Sequence, residues 1–105
     1  MTLKELREKL DTMGLPLAYQ EFPKQQTPDY IAYFEDDSES ITADGVVVVS
    51  VQNIEIHMIT KQRDLVKETI LETILTDAGL TWERSHDYDS KQQVFDTAYT
   101  LQLIN

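Results

Sequence analysis

The stretch Val46-Val47-Val48-Val49-Ser50-Val51-Gln52-Asn53-Ile54-Glu55-Ile56-His57-Met58-Ile59-Thr60 decides the fold. From Asn53 onward it alternates, with Ile54, Ile56 and Met58 on one face and Asn53, Glu55 and His57 on the other. That period of two is the signature of a half-buried strand. Val46 to Val49 instead offer valine to both faces. Fully extended, these residues span about 50 Å. A compact domain of about 100 residues has a radius of gyration near 13 Å, hence a diameter of roughly 35 Å. The strand must therefore bend at a bulge or project beyond the body.

Working toward the N-terminus, Asp44-Gly45 is a turn signal that makes the long strand one arm of a hairpin. Before it stands Glu35-Asp36-Asp37-Ser38-Glu39-Ser40, whose four carboxylates predict a solvated loop. Residues 30–34 are a strand by residue type, residues 23–29 with two prolines are a loop, and Leu17, Ala18, Tyr19 and Phe22 form a short extended piece. Thr2 with Glu5 three residues later is a capping box, and Leu3, Leu6, Leu10 and Met13 recur at helical spacing. Gly14 and Pro16 stop that helix, which is expected over about residues 2–13.

Toward the C-terminus, residues 64–78 predict a second helix, with Val66, Ile70 and Ile74 in one apolar row and Leu71, Leu75 and Ala78 in the next. Gly79 ends it. Residues 80–84, centred on Trp82, read as a strand, and residues 87–91 as a polar turn. Phe95, Thr97, Tyr99, Leu101 and Leu103 share one face of a last strand, with Asp96, Thr100 and Gln102 opposite. The order is α-β-β-β-α-β-β. The expected fold is a single α+β domain over residues 1–105: a mostly antiparallel sheet, two helices, and a long bent or protruding strand-hairpin.

The net charge of −10 repels phosphate backbones and anionic lipid, so specific nucleic-acid binding and membrane attachment are not expected. No apolar run approaches the roughly 20 residues of a membrane helix. With no cysteine, disulfides, thiolate metal sites and cysteine nucleophiles drop out together. The three glycines, at 14, 45 and 79, are explained as punctuation and form no phosphate loop. Ser85, His86 and Asp87 resemble a triad on paper, but neighbours on a strand point to opposite faces. Glu55 and His57 share a face and lack further ligands at metal spacing. His86, Asp87 and Asp89 lack the glycine and spacing of a calcium loop. The expectation is a protein with no catalytic site, no cofactor and no metal.

Two groups are candidates for function of another kind. Val46, Val47, Val48, Val49 and Val51 present more apolar surface than one small domain needs, and burying it against a neighbouring subunit would solve that. Glu35, Asp36, Asp37 and Glu39 form an acidic cluster that would suit the wall of a channel through which DNA passes.

The order of segments resembles the small tail completion, or tail terminator, proteins of long-tailed phages and prophages of Gram-positive bacteria. The resemblance covers nearly the whole chain. It is carried by Gly14-Leu15-Pro16-Leu17-Ala18-Tyr19 with Phe22, by Pro28-Asp29-Tyr30-Ile31-Ala32-Tyr33, and by the Ala43-Asp44-Gly45 turn. It continues through Asn53 to Thr60, Asp64 and Glu68, and closes with Tyr88 and Phe95-Asp96-Thr97-Ala98-Tyr99-Thr100-Leu101. The family pattern has Glu and Tyr where His57 and Ile59 stand, swaps that keep the strand period. The resemblance implies a hexameric ring at the top of the tail tube, contacts with the tail tube protein and a head-completion protein, a place in the virion after assembly in the bacterial cytoplasm, and no enzyme activity. The competing readings are an acidic nucleic-acid mimic that blocks a host enzyme, and a small adaptor. Clustered rather than evenly spaced carboxylates argue against mimicry, which also leaves the long apolar strand unexplained.

Overall fold

The computed structural model describes residues 1–24 and 26–104, and for Val47 and Val48 the backbone alone. The elements are α1 (Leu3–Asp11), β1 (Leu17–Tyr19), β2 (Tyr30–Ala43), β3 (Val46–Thr60), α2 (Leu65–Asp77), β4 (Trp82–Asp89) and β5 (Val94–Ile104). Their order and the α+β class are as the sequence predicts. They build one five-stranded sheet in the order β1-β2-β3-β5-β4. β1 lies parallel to β2, and all other neighbours are antiparallel.

Both helices begin where side chains satisfy their free amides. Thr2 Oγ1 accepts from the Glu5 amide at 3.2 Å, and Asp64 Oδ1 accepts from the Lys67 amide at 3.0 Å. Leu6 and Leu10 of α1 and Leu71 and Leu75 of α2 are fully buried against one face of the sheet. That face supplies Ile31, Tyr33, Ile54, Ile56, Met58, Tyr99, Leu101 and Leu103. The opposite face carries no helix; its smaller cluster is Tyr30, Ala32, Ile59 and Val94, with Ala18 and Phe34 beside it. Here it is called the open face.

One expectation for α2 fails. Val66 and Ile70 are exposed at 70% and 45%, although their row had the apolar spacing of a core. The helix is turned so that Glu68, Glu72 and Thr76 meet β4 instead. His86 Nε2 lies 2.9 Å from Glu68 Oε1, Arg84 Nη1 donates to Glu72 Oε2 at 2.8 Å, and Trp82 Nε1 donates to Thr76 Oγ1 at 3.1 Å. Four residues advance a helix by about 6 Å. Two residues advance a strand by about 6.6 Å. The three rungs therefore stay in step, and they fix the rotation of α2 by polar partners.

β3 and β2 form the long hairpin, closed by Asp44 and Gly45 with φ of 53° and 78°. Both being left-handed is the geometry of a tight primed turn, which Asp-Gly favours. Among the described residues, β3 pairs with β5 from Val51, opposite Ile104, to Thr60. Residues 40–50 therefore leave the sheet as a two-stranded arm, and the molecule measures 51 × 26 × 21 Å. Register shifts fall between Glu35 and Asp37 and between Ile41 and Thr42. The long strand thus projects, as its length requires, and the hairpin is bulged as well. A second correction concerns residues 35–40. They are part of β2, paired to β3, and not a loop. Their side chains are largely solvated, and the backbone runs beside β3 across the bulge at Asp36, with the Glu35 amide donating outward to Gln20 Oε1 at 2.8 Å.

Candidate functional site

The arm is the part of the fold with the least work to do for folding. Among the described side chains, none of residues 40–50 belongs to either buried cluster. Directly paired residues of antiparallel strands share a face. By register Ile41 pairs with Val49, Ala43 with Val46, and Glu39 with Val51. Ile41 and Ala43 are two apart, so Ile41, Ala43, Val46 and Val49 form one stripe on the open face. Val51, paired to Ile104 of β5, continues it into the body. Ile41, Val46 and Ile104 are 57%, 63% and 60% exposed. The other side of the arm offers Ser38, Ser40, Thr42 and Ser50.

The bulge changes the reading of the valines. It opens within residues 47–49, so Val46 and Val49 fall on one face although three apart. Val46 and Val49 of the interface expectation thus lie on one surface, while Val51, packed beside Ile104, is already buried by the chain itself and offers a neighbour little. The same expectation at Val47 and Val48 lies outside the described side chains. The acidic run is divided. Glu35 pairs with Ile54, on the helix face, while Asp37 pairs with Asn53 and Glu39 with Val51, on the open face. Asp37 Oδ1 accepts from Asn53 Nδ2 at 2.7 Å, and Asn53 Oδ1 accepts from Gln102 Nε2 at 2.9 Å, a polar rung across three strands. A strand so alternated cannot turn Glu35, Asp36, Asp37 and Glu39 to a single side.

Below the arm, the open face carries a constellation around His57. Its Nδ1 lies 2.8 and 2.9 Å from the Asp96 carboxylate oxygens, and its Nε2 lies 2.7 Å from Glu55 Oε1. Phe22 and Phe34 stand edge-on to the ring at centroid distances of 5.1 and 5.6 Å. Burial alone would lower the imidazole's pKa. The hydrogen bonds and charges of Asp96 and Glu55 outweigh burial and raise it. A hydrogen bond between Asp36 and Glu55 holds the Asp36 carboxyl up and the Glu55 carboxyl down, the latter with help from His57 and against burial. With both nitrogens occupied, the ring suits the doubly protonated form and has no free nitrogen to act as a base. The cluster is a polar plug beside the apolar patch of Tyr30, Ala32, Ile59 and Val94 on the open face. Sequence placed Glu55 beside His57 but missed Asp96, which lies 39 residues away and reaches His57 only through the β3–β5 register.

The Ser85-His86-Asp87 sequence does not converge. His86 pairs with Thr97 and turns to α2, where it meets Glu68, while Ser85 and Asp87 pair with Ala98 and Asp96 on the other face. Asp89 Oδ1 accepts from the amides of Lys91 and Gln92 at 2.9 and 3.2 Å and so closes the β4–β5 turn.

A likeness among solved structures bears on this architecture. One chain in the virion of a native gene transfer agent particle has the same fold. The two match with a TM-score of 0.65, over 94% of this chain and 87% of that chain, at 13% sequence identity. No protein-family model matches the chain, and no curated protein sequence does. A likeness at such low identity concerns the fold, and function must be argued from the surfaces.

Proposed function

We propose that this chain is a structural protein of a phage-like virion, acting as a ring of subunits that completes the tail tube at the head–tail junction. The observation that carries the reading is the arm: residues 40–50 leave the sheet and expose an apolar stripe that the chain itself does not cover. Large exposed apolar surface on a small acidic domain is a mark of protein partners. Two further facts support the reading. The fold occurs in a gene transfer agent virion, and the sequence resembles tail completion proteins from Gly14 to Leu101. In this proposal the partners are further copies of the chain, a tail tube protein and a head-completion protein, and the chain performs no catalysis.

The test is genetic. Deleting the gene from a phage that encodes it should leave DNA-filled heads and separate tails, and supplying the protein in trans should restore joined particles. Infectious particles with ordinary tails in the absence of the protein would overturn the proposal.

A further inference from the structure

The arm needs a receiving surface, and the opposite end of the same molecule offers one. β3 runs the length of the hairpin, from Val46 beside the arm tip to Thr60 at the far end of the sheet. Immediately after Thr60 come Lys61, Gln62 and Arg63, all exposed, and then the first turn of α2. Leu65, Val66 and Ile70 there are 62%, 70% and 45% exposed. The hollow of about 480 Å³ between them is lined by Asp29, Lys61, Gln62, Arg63, Asp64, Leu65 and Val66. Its two carboxylates are already engaged. Asp29 accepts from the Lys61 amide and from Lys67 Nζ, and Asp64 caps the helix through the Lys67 amide. Of the cations at this end, Arg63 is half exposed and pairs with Glu68 at 3.5 Å, and Lys61 is exposed with no salt bridge among the described residues.

The two ends complement each other. Residues 35–50 carry Glu35, Asp36, Asp37, Glu39 and Asp44 with no Lys or Arg, and end in an apolar stripe at Ile41, Val46 and Val49. The start of α2 carries exposed cations beside exposed aliphatic side chains. We infer that the arm of one copy docks on the outer face of α2 of a second copy, Ile41 and Val46 against Leu65, Val66 and Ile70, with Asp44 at the turn beside Lys61 and Arg63. Such a contact joins two different surfaces and is head-to-tail, the kind that closes into a ring when the rotation fits. A single hairpin face is small against the roughly 800 Å² per partner of a stable complex. Each pair is therefore weak, and closure, which holds every subunit twice, is what makes the assembly persist. The inference rests on the ring reading above and names the surfaces that build it.

The experiment uses full-length chains followed by sedimentation velocity over a wide concentration range, with circular dichroism to confirm folding. Val46→Asp with Ile41→Asp spoils the arm, and Leu65→Asp with Val66→Asp spoils the pad. All four sites are exposed, so both variants should fold. Each variant alone should stay monomeric where the unaltered chain assembles. Mixed in equal amounts they should form a species of two chains and nothing larger, and only at concentrations well above those at which the unaltered chain assembles, because the mixture contains one intact arm and one intact pad but no closed ring. If the pad variant assembles like the unaltered chain, the docking site is elsewhere and the ring reading survives. An unaltered chain that stays monomeric at every concentration overturns the docking, while the gene deletion still decides the virion role.

Discussion

His57 sits between two carboxylates with both ring nitrogens committed, and that sets its response to pH. Its folded pKa is raised above the unfolded value. The stability it contributes is therefore fully present below the unfolded value, near 6.5, and is lost as pH rises through the higher folded value. Comparing thermal melts of the parent and His57→Gln, the stability gap should be widest near pH 5.5–6, above the usual carboxylate range, and should narrow at alkaline pH. A gap that is flat or widens with rising pH contradicts the assignment. A second pair of substitutions separates the roles of Tyr99 and Glu72. The buried Tyr99 hydroxyl donates to Glu72 Oε2 at 2.8 Å, and burial together with that carboxylate pushes its pKa well above the ordinary value. Tyr99→Phe leaves Glu72 its bond to Arg84, so a loss of about 0.5–1.5 kcal/mol is expected. Glu72→Ala strands a buried hydroxyl, so urea unfolding should show the larger loss, about 1–3 kcal/mol. The reverse order would mean that the hydroxyl is satisfied by some other group.

At the scale of elements, α2 shows what the sequence carries and what it conceals. Its bounds were legible within a residue at each end, because Asp64 and Gly79 are local signals. Its rotation was not, because Val66 and Ile70 have core-like spacing while the helix is set by Glu68 and Glu72 against His86 and Arg84, partners 18 and 12 residues away. Leu71→Ala should cost about 2–5 kcal/mol. Val66→Ala, in the row the spacing favoured, should fall within about 0.5 kcal/mol of the parent by the same urea titration. A large loss at Val66 would place that residue in the core. The acidic run failed for a related reason. Asp and Glu are poor strand formers, so residues 35–40 read as a loop, yet pairing with β3 decides their conformation. The projection of β3 was legible, since its length against the size of the domain allows no other outcome than a bulge or an overhang. The joining of Asp96 to His57 was not, since strand neighbours are unknown until the β3–β5 register is.

At the scale of the whole molecule, the chain divides into a body that holds the buried clusters and an arm that stands outside them. The helices and the sheet over residues 17–39, 51–60 and 82–104 enclose both buried clusters, and no described side chain of residues 40–50 contributes to either. The 51 Å long axis comes from letting that arm stand clear of the body. An exposed apolar hairpin invites nonspecific pairing, and retaining it makes sense only if assembly uses it. The division can be tested by removing the arm alone. Glu39 and Val51 are register partners, so Asn-Gly can replace residues 40–50 as a two-residue primed turn between them. Val51 and its neighbour Ile104 are kept, which leaves the body's own packing in place. The shortened chain should melt within about 4 °C of the parent, a change under about 1 kcal/mol for a domain of this size. It should remain monomeric at concentrations where the parent assembles, and it should fail to restore joined particles to a phage lacking the gene. Loss of folding would show that the arm belongs to the cooperative unit. Normal assembly by the shortened chain would show that the interface lies on the body, and the stripe at Ile41, Val46 and Val49 would then have no part in it.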